Sequence, residues 1–313
     1  MIGFLAANGI IRVEGKHTTM TKIIPTKTTP SHWPLMIGII FGCLYSSHIF
    51  AAPPQKIASL SLASDEILLD LLQTCGGRQR IVALSTFADD PEASSVVESA
   101  KTVKGRVHSE PESLFSLKPD LIIAASFNRP ELIRMIESRN VPLLMLDKFS
   151  SVADIAKHIQ DIGTAVECPK EAKALRESFL RQVSAQKIPS ASPKKVRVIN
   201  YSPDLVVMGL DTLFDELVTQ AGAINVAGEF GLHHWPKIDV ETLLRMKPDK
   251  IIVIGVDSPK KRAAIKAHPA WGRLDAVTKE NQIIFLDSRT ALSTSHYFSS
   301  AIKDLQKHLH SER

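Results

Sequence analysis

The sequence predicts an α/β protein of two lobes with parallel sheets, joined by one long interdomain helix. Three observations carry this. After Pro53 short apolar runs alternate with helical patterns, the order that yields parallel sheets covered by helices. One line is written twice, ESLFSLKPDLIIAA from Glu112 to Ala125 and ETLLRMKPDKIIVI from Glu241 to Ile254, 129 positions apart. Between the two copies lie two long helical patterns with no strand between them.

The first lobe opens with IASLSL (57–62) as a strand. Ser64-Asp65-Glu66 then starts a helix that runs to Cys75 and stops at Gly76-Gly77. IVALS (81–85) is the second strand. The loop FADDPEAS leads to a polar helical stretch and a further loop from Gly105 to His108. A short helix starts at Glu110-Pro111-Glu112 and ends at Lys118-Pro119, where proline stops it and Asp120 favours a turn. LIIAAS (121–126) is apolar throughout, as a strand buried on both faces should be. ELIRMIESRN is a helix and VPLLMLD (141–147) a fourth strand.

SVADIAKHIQDIGTAV and CPKEAKALRESFLRQVSAQKI are the two helical patterns of the middle. Pro169 suits a first helical turn. From Lys170 to Lys187 the second would be about 27 Å long, at about 1.5 Å per residue, and Pro189 and Pro193 end it. Alternation then restarts with VRVIN (196–200), the helix TLFDELVTQAG (212–222), the short helix VETLLRMK and the strand IIVIG (251–255). A partly helical AIKAHPAWGRL, the strand QIIFLD (282–287) and the closing helix HYFSSAIKDLQKHL complete the second lobe. The chain therefore divides into an N-terminal extension (1–52), a first lobe (53–150), linking helices (151–190) and a second lobe (191–313).

Hydrophobic residues make up 44% of the chain, enough for packed cores. The 38 Lys and Arg exceed the 33 Asp and Glu, but four of the basic residues and one acid precede Ala52, so the remainder is near neutral. That argues against nucleic acid as a partner. Pro34 to Ala52, PLMIGIIFGCLYSSHIFAA, has no Asp, Glu, Lys or Arg; Lys22 and Lys27 precede it and Ala51-Ala52 end it. This is the pattern of a secretory signal peptide, with an uncleaved membrane anchor as the alternative. Met20 is an alternative start, and Cys43 after Ile-Phe-Gly loosely fits a lipoprotein cleavage box. Outside the cytoplasm Cys75 and Cys168 form either a disulfide or two buried free thiols. No Cys-x-x-Cys, Gly-rich phosphate loop, Gly-x-Ser-x-Gly or His-Glu-x-x-His is present, so no catalytic residue, metal site or cofactor is expected.

Three blocks in order, IASLSLASDEILLDL, GRVHSEPESLFSLKPDLIIAAS and TLFDELVTQAGAINVAGEFGLHHWPKIDVETLLRMKPDKIIVIG, resemble the periplasmic solute-binding proteins of ABC importers for iron-siderophores, haem and vitamin B12. The resemblance runs from Lys56 nearly to the end. It implies two Rossmann-like lobes bridged by a single helix, stiffer than binding proteins with strand hinges. It also implies a monomer that takes a metal chelate, a corrinoid ahead of ferric siderophore or haem, and passes it to a permease. A free metal ion is a further alternative. In B12-binding members a glutamate of each lobe docks on permease arginines, and Glu112 and Glu241 match those positions. Acids there also suit helix N-termini.

Ligands of open α/β sheets bind beyond the carboxyl ends of strands. In the first lobe this selects Phe87, Asp90, His108, Phe127 and Arg129, and in the second Tyr201, His234, Trp235 and Arg289. Trp235-Pro236 matches a Trp-Pro of the B12-binding relatives. Phe87 and Asp90 match positions that are aromatic there, and Asp90 departs from that pattern. Arg129 and Arg289 suit anionic groups on a ligand. His233 and His234 are neighbours that point in different directions, so at most one reaches a metal; His108 and His296 are further candidates.

Overall fold

Two parallel sheets organise the chain. The structure is a computed structural model that describes residues 52–107, 111–185, 195–279 and 282–310. His108 and the expected signal segment up to Ala51 lie outside the described residues. Strands β1 (Ile57–Ser59), β2 (Ile81–Ser85), β3 (Gly105–Val107), β4 (Leu121–Ala125) and β5 (Leu143–Leu146) form the first sheet in the order β3-β2-β1-β4-β5. Strands β6 (Arg197–Asn200), β7 (Ile224–Asn225), β8 (Lys250–Ile254) and β9 (Ile283–Leu286) form the second in the order β7-β6-β8-β9. The strand order turns between β1 and β4, paired Ile57 to Leu121, and between β6 and β8, paired Val198 to Lys250. No helix among the described residues is long and apolar enough to cross a membrane.

The expected elements stand with three local corrections. The first strand ends at Ser59, and the helix begins at Leu62 rather than Ser64, because the Ser61 hydroxyl caps it by accepting from the Ser64 amide at 3.3 Å. Gly105–Val107, read as a loop, is the edge strand β3. Three residues are too few to show a period, but Gly105 marks the close approach: a Cβ there would lie 2.0 Å from the Val82 carbonyl oxygen. Ile224–Asn225 adds the two-residue strand β7 for the same reason of length.

The duplicated line has a structural explanation in its aspartates. Lys118 and Lys247 each take a left-handed conformation at the helix end, and the following proline prevents continuation. Asp120 then accepts from the amides of Gln55 and Lys56, both at 2.8 Å, and Asp249 accepts from the Arg197 amide at 2.9 Å. Each copy thus pins the entry of the central strand beside it, β1 in one lobe and β6 in the other.

Side chains alternate across both sheets. Ile57 and Ile123 of the first sheet, and Val198 and Ile252 of the second, enter one hydrophobic core common to both lobes. Ala58 and Ile122 face a core of the first lobe alone, and Ile199 and Ile251 face a core of the second. The common core is built on the linking helices Val152–Ala165 and Pro169–Ala185 and on the closing helix Phe298–His310, which contributes Phe298, Ala301, Ile302 and Leu305 at helical spacing. The two linking helices approach so closely that a Cβ on Gly163 would sit 2.0 Å from that of Ala172. Residues 53–313 form one compact unit. Cys75 and Cys168 are joined by a disulfide, which ties the end of the first helix to the start of the second linking helix, Pro169–Ala185, the strut between the lobes.

A polar seam also crosses between the lobes. Glu66 of the first helix is fully buried and accepts from the hydroxyls of Ser293 (2.9 Å) and Ser295 (2.5 Å) of the second lobe and from the Ser95 amide (3.0 Å). One turn on, Asp70 binds His296 Nε2 at 2.9 Å and accepts from the Tyr297 hydroxyl at 3.0 Å. Burial pushes the Glu66 carboxyl above its usual range despite these bonds, whereas for Asp70 the bonds from His296 and Tyr297 outweigh burial and hold it low.

Asp65, next to Glu66, is fully buried as well. Burial pushes its carboxyl up to about 7, against the opposing hydrogen bonds from Ser59 and Ser85. The folded chain therefore keeps a proton that the unfolded chain releases near 3.8. This contribution to stability is complete below about pH 4 and is lost as pH rises through about 7. Urea unfolding of wild type and Asp65→Asn at both ends of that window is the check. The variant's relative stability is expected to improve at the higher pH, and a gap independent of pH would contradict the assignment.

Candidate functional site

The carboxyl ends of both sheets open onto one cavity of about 460 Å³ lined by both lobes. This lies within the roughly 300–1,000 Å³ of ordinary small-molecule sites. Phe127, Lys148 and Phe149 come from the first lobe; Met208, Asp211, Thr212, Phe214, Trp235, Ile254 and Leu292 come from the second. A larger concavity of about 690 Å³, lined by Lys247, Asp249, Arg273 and Gln282, lies at the opposite ends of β8 and β9. It belongs to a single lobe and is walled by the repeat's own turn, so the cleft between the lobes is the candidate site.

Asn128 sets the first wall. Its side-chain oxygen accepts from the Ala125 amide at 2.7 Å and its nitrogen donates to the Leu60 carbonyl at 3.1 Å, which locks the turn after β4 and leaves Phe127 64% exposed. Phe127 meets Phe149 at 5.0 Å, and Phe149 rests on His158 at 4.8 Å. His158 is buried, which lowers its pKa, so its ring is neutral and Nε2 donates to the Asp147 carbonyl at 2.7 Å. This aromatic stack is supported from behind.

The second wall is a ladder of two loops. Gly209 donates to the His234 carbonyl and His234 to the Leu210 carbonyl, both at 2.8 Å, and Val207 donates to the Pro236 carbonyl at 3.0 Å. A Cβ on Gly209 would fall 2.1 Å from the Leu232 carbonyl oxygen, so only glycine allows this approach. Buried Asn200 and Asn225 hold the same loop, Asn200 accepting from the Met208 amide at 2.6 Å and Asn225 donating to the Met208 carbonyl at 2.8 Å. Trp235 thus stands 61% exposed on a fixed backbone. An exposed tryptophan on a rigid support is an apolar surface ready for a ligand.

The other expected positions separate. Phe87 is exposed on the turn after β2, and Arg129 is exposed at the start of helix Pro130–Ser138 with no ion pair among the described residues. Asp90 caps its own turn by accepting from the Glu92 amide at 2.8 Å. Tyr201 turns inward onto Trp271 at 5.3 Å, packing on the core of its own lobe instead of the cavity. Arg289 is held by Asp287, two residues away, through Nη2 at 2.5 Å, so its charge is already matched. The same is true of Arg106 on Asp89 and Arg262 on Asp257. His234 is exposed beside the cavity and stacks on Trp235 at 6.2 Å. Glu112 and Glu241 are exposed in the first turns of equivalent short helices, the second capped by Asp239.

Sequence reasoning missed Lys148, Phe149 and the segment from Met208 to Phe214. Lys148 and Phe149 follow β5 and obey the strand-end rule as well as Phe127 does. The Met208 loop has no period and no motif to reveal it.

Residues 57–290 match the protein family described as periplasmic binding protein. An ABC transporter substrate-binding lipoprotein of Bacillus subtilis is 26% identical over 243 residues, 75% of this chain and 73% of that protein. A vitamin B12-binding protein of Pectobacterium atrosepticum is 24% identical over 65% of this chain and 73% of its own length. Among solved structures, a periplasmic haem-binding protein of Roseiflexus sp. RS-1 superposes with a TM-score of 0.69 at 20% identity, covering 82% of this chain and 98% of that one.

Proposed function

Because the chain belongs to the periplasmic binding protein family, we propose that it captures a metal chelate, a corrinoid first, in the cleft between its lobes and delivers it to an ABC importer. The observation that carries this is the pair of supported, exposed aromatic walls, Phe127 with Phe149 and Trp235, on opposite sides of one cavity. Flat apolar faces lining one cavity suit a macrocycle whose polar arms reach the rim. The B12-binding and haem-binding relatives support the same class of ligand. The role is binding and transport rather than catalysis. The chain works as a monomer outside the cytoplasm, exported by its N-terminal segment. Glu112 and Glu241 are the contacts to the two permease subunits.

Lys148 on the cavity wall favours an anionic chelate, haem or a ferric siderophore, as the second reading. Calorimetric titration with cyanocobalamin decides between them. One-to-one binding at micromolar affinity or tighter, about −8 kcal/mol, supports the corrinoid. Trp235→Ala is then expected to weaken it by about 2 kcal/mol, roughly thirtyfold. No heat with cyanocobalamin and saturable heat with haemin or ferric siderophores moves the assignment to the second reading.

A further inference from the structure

One stretch of the second lobe faces two ways. After β9 the chain makes the short helix Ser288–Ala291, and residues 292–295 then belong to no helix or strand. Ala291, Leu292 and Thr294 line the cavity, and Leu292 is 56% exposed. Ser293 and Ser295, which alternate with them, are buried and turn instead to Glu66. Both hydroxyls donate to its Oε2, at 2.9 and 2.5 Å. The other carboxylate oxygen, Oε1, accepts from the Ser95 amide at 3.0 Å. Ser95 in turn donates its hydroxyl to the Arg289 carbonyl at 3.3 Å, and the Ser288 hydroxyl donates to the Glu92 carbonyl. Glu66 of the first lobe is thus the centre of a clasp on the segment that walls the cavity from the second lobe.

The serines carry the position of Glu66 into the backbone. Ser293 Oγ accepts from the Ser295 amide at 3.1 Å, and Ser295 Oγ accepts from the Tyr297 amide at 3.3 Å. Each hydroxyl therefore gives its one hydrogen to the carboxylate and takes one from the chain. A buried polar cluster satisfied in this way specifies one local arrangement. Resting on the reading of the cleft as a chelate site, we infer that Glu66 is a positioning residue for the ligand: from the first lobe it sets where Leu292 and Thr294 of the second lobe meet the bound chelate. The coupling is reciprocal. A ligand seated on Leu292 and Thr294 strengthens the clasp, and loosening the clasp weakens the ligand.

The probe is whichever of cyanocobalamin, haemin and ferrioxamine B binds wild type most tightly. It is titrated well below the unfolding midpoint of each variant, so that every chain measured is folded. Ser293→Ala with Ser295→Ala removes both hydroxyl donors and leaves the cavity side chains in place. This variant is expected to bind about tenfold more weakly. Leu292→Ala should cost less affinity in that background than in wild type, because the wall it truncates is already displaced, whereas Trp235→Ala on the opposite wall should cost the same in both. Glu66→Gln is the rescue. Its amide oxygen accepts from Ser95, and its nitrogen has two hydrogens for the free lone pairs of the two serines, so it should keep wild-type affinity. Glu66→Ala should behave as the serine variant does. A lowered midpoint with unchanged affinity in the serine variant, or a Leu292→Ala cost equal in both backgrounds, overturns the positioning role and leaves the chelate reading standing. Failure of all three probes to bind wild type removes the chelate reading, and the positioning role with it.

Discussion

Replacing Glu112 and Glu241 together with arginine is expected to abolish uptake of the chelate while its affinity for the purified protein stays unchanged. Both carboxylates are exposed, one per lobe, each in the first turn of the helix that precedes a central strand. Their equivalence is built in by the two aspartate-pinned turns, which place each helix against β1 or β6 in the same way. A two-fold partner meeting one lobe with each subunit would find the same acid twice. Truncating one partner of a hydrogen-bonded charge pair in an interface costs about 2–5 kcal/mol. Reversing both sites roughly doubles that and adds repulsion. The measurement is uptake of labelled chelate by cells that carry the variant in place of the native copy, beside calorimetry of the same variant. Uptake at the wild-type rate would show that the permease contacts lie elsewhere.

Cys75→Ser with Cys168→Ser is expected to lower unfolding free energy by about 4–5 kcal/mol. The bridge spans a sequence separation of 93 residues, and closing a loop of that size removes about this much chain entropy from the unfolded state. For a unit of this size the thermal midpoint should fall by roughly 7–9 °C, and a reducing agent should act alike on wild type. The bridge sits where the first helix meets the strut, beside Arg80, whose Nη2 donates to the Val166 carbonyl at 2.7 Å and whose Nε donates to Pro54 at 2.7 Å. A midpoint unmoved by reduction would mean that these bonds alone hold the junction.

The strands and long helices were legible because burial imposes period. LIIAA is apolar throughout, and KIIVI is so after Lys250, since helices cover both faces of each sheet, and the closing helix places Phe298, Ala301, Ile302 and Leu305 on one stripe. Elements of two or three residues, β3 and β7, cannot display a period. The site was legible only in part. Phe127 and Trp235 follow from the rule that ligands meet strand ends, but the rule fixes a backbone position and not where a side chain turns. Tyr201 sits at such an end and folds back on Trp271; Arg289 sits at another and is matched by Asp287. Those outcomes depend on partners close in space or on a two-residue turn that composition does not announce. The seam was equally hidden, because Glu66 and Ser295 are 229 positions apart.

That seam has a consequence for how ligand affinity arises. The lobes are fixed at the strut, through the common core, and again where Ser293 and Ser295 bind buried Glu66. Swinging them apart would strip a desolvated carboxylate of two hydroxyl donors, a loss of a few kcal/mol before any apolar area is counted. The seam therefore holds the two lobes in one relative arrangement. A receptor that must first populate a rare closed form has its apparent affinity reduced by the fraction that is competent. The seam and the common core both act against such a rearrangement. On the proposed reading, the constant for a chelate would report chiefly the fit of the walls.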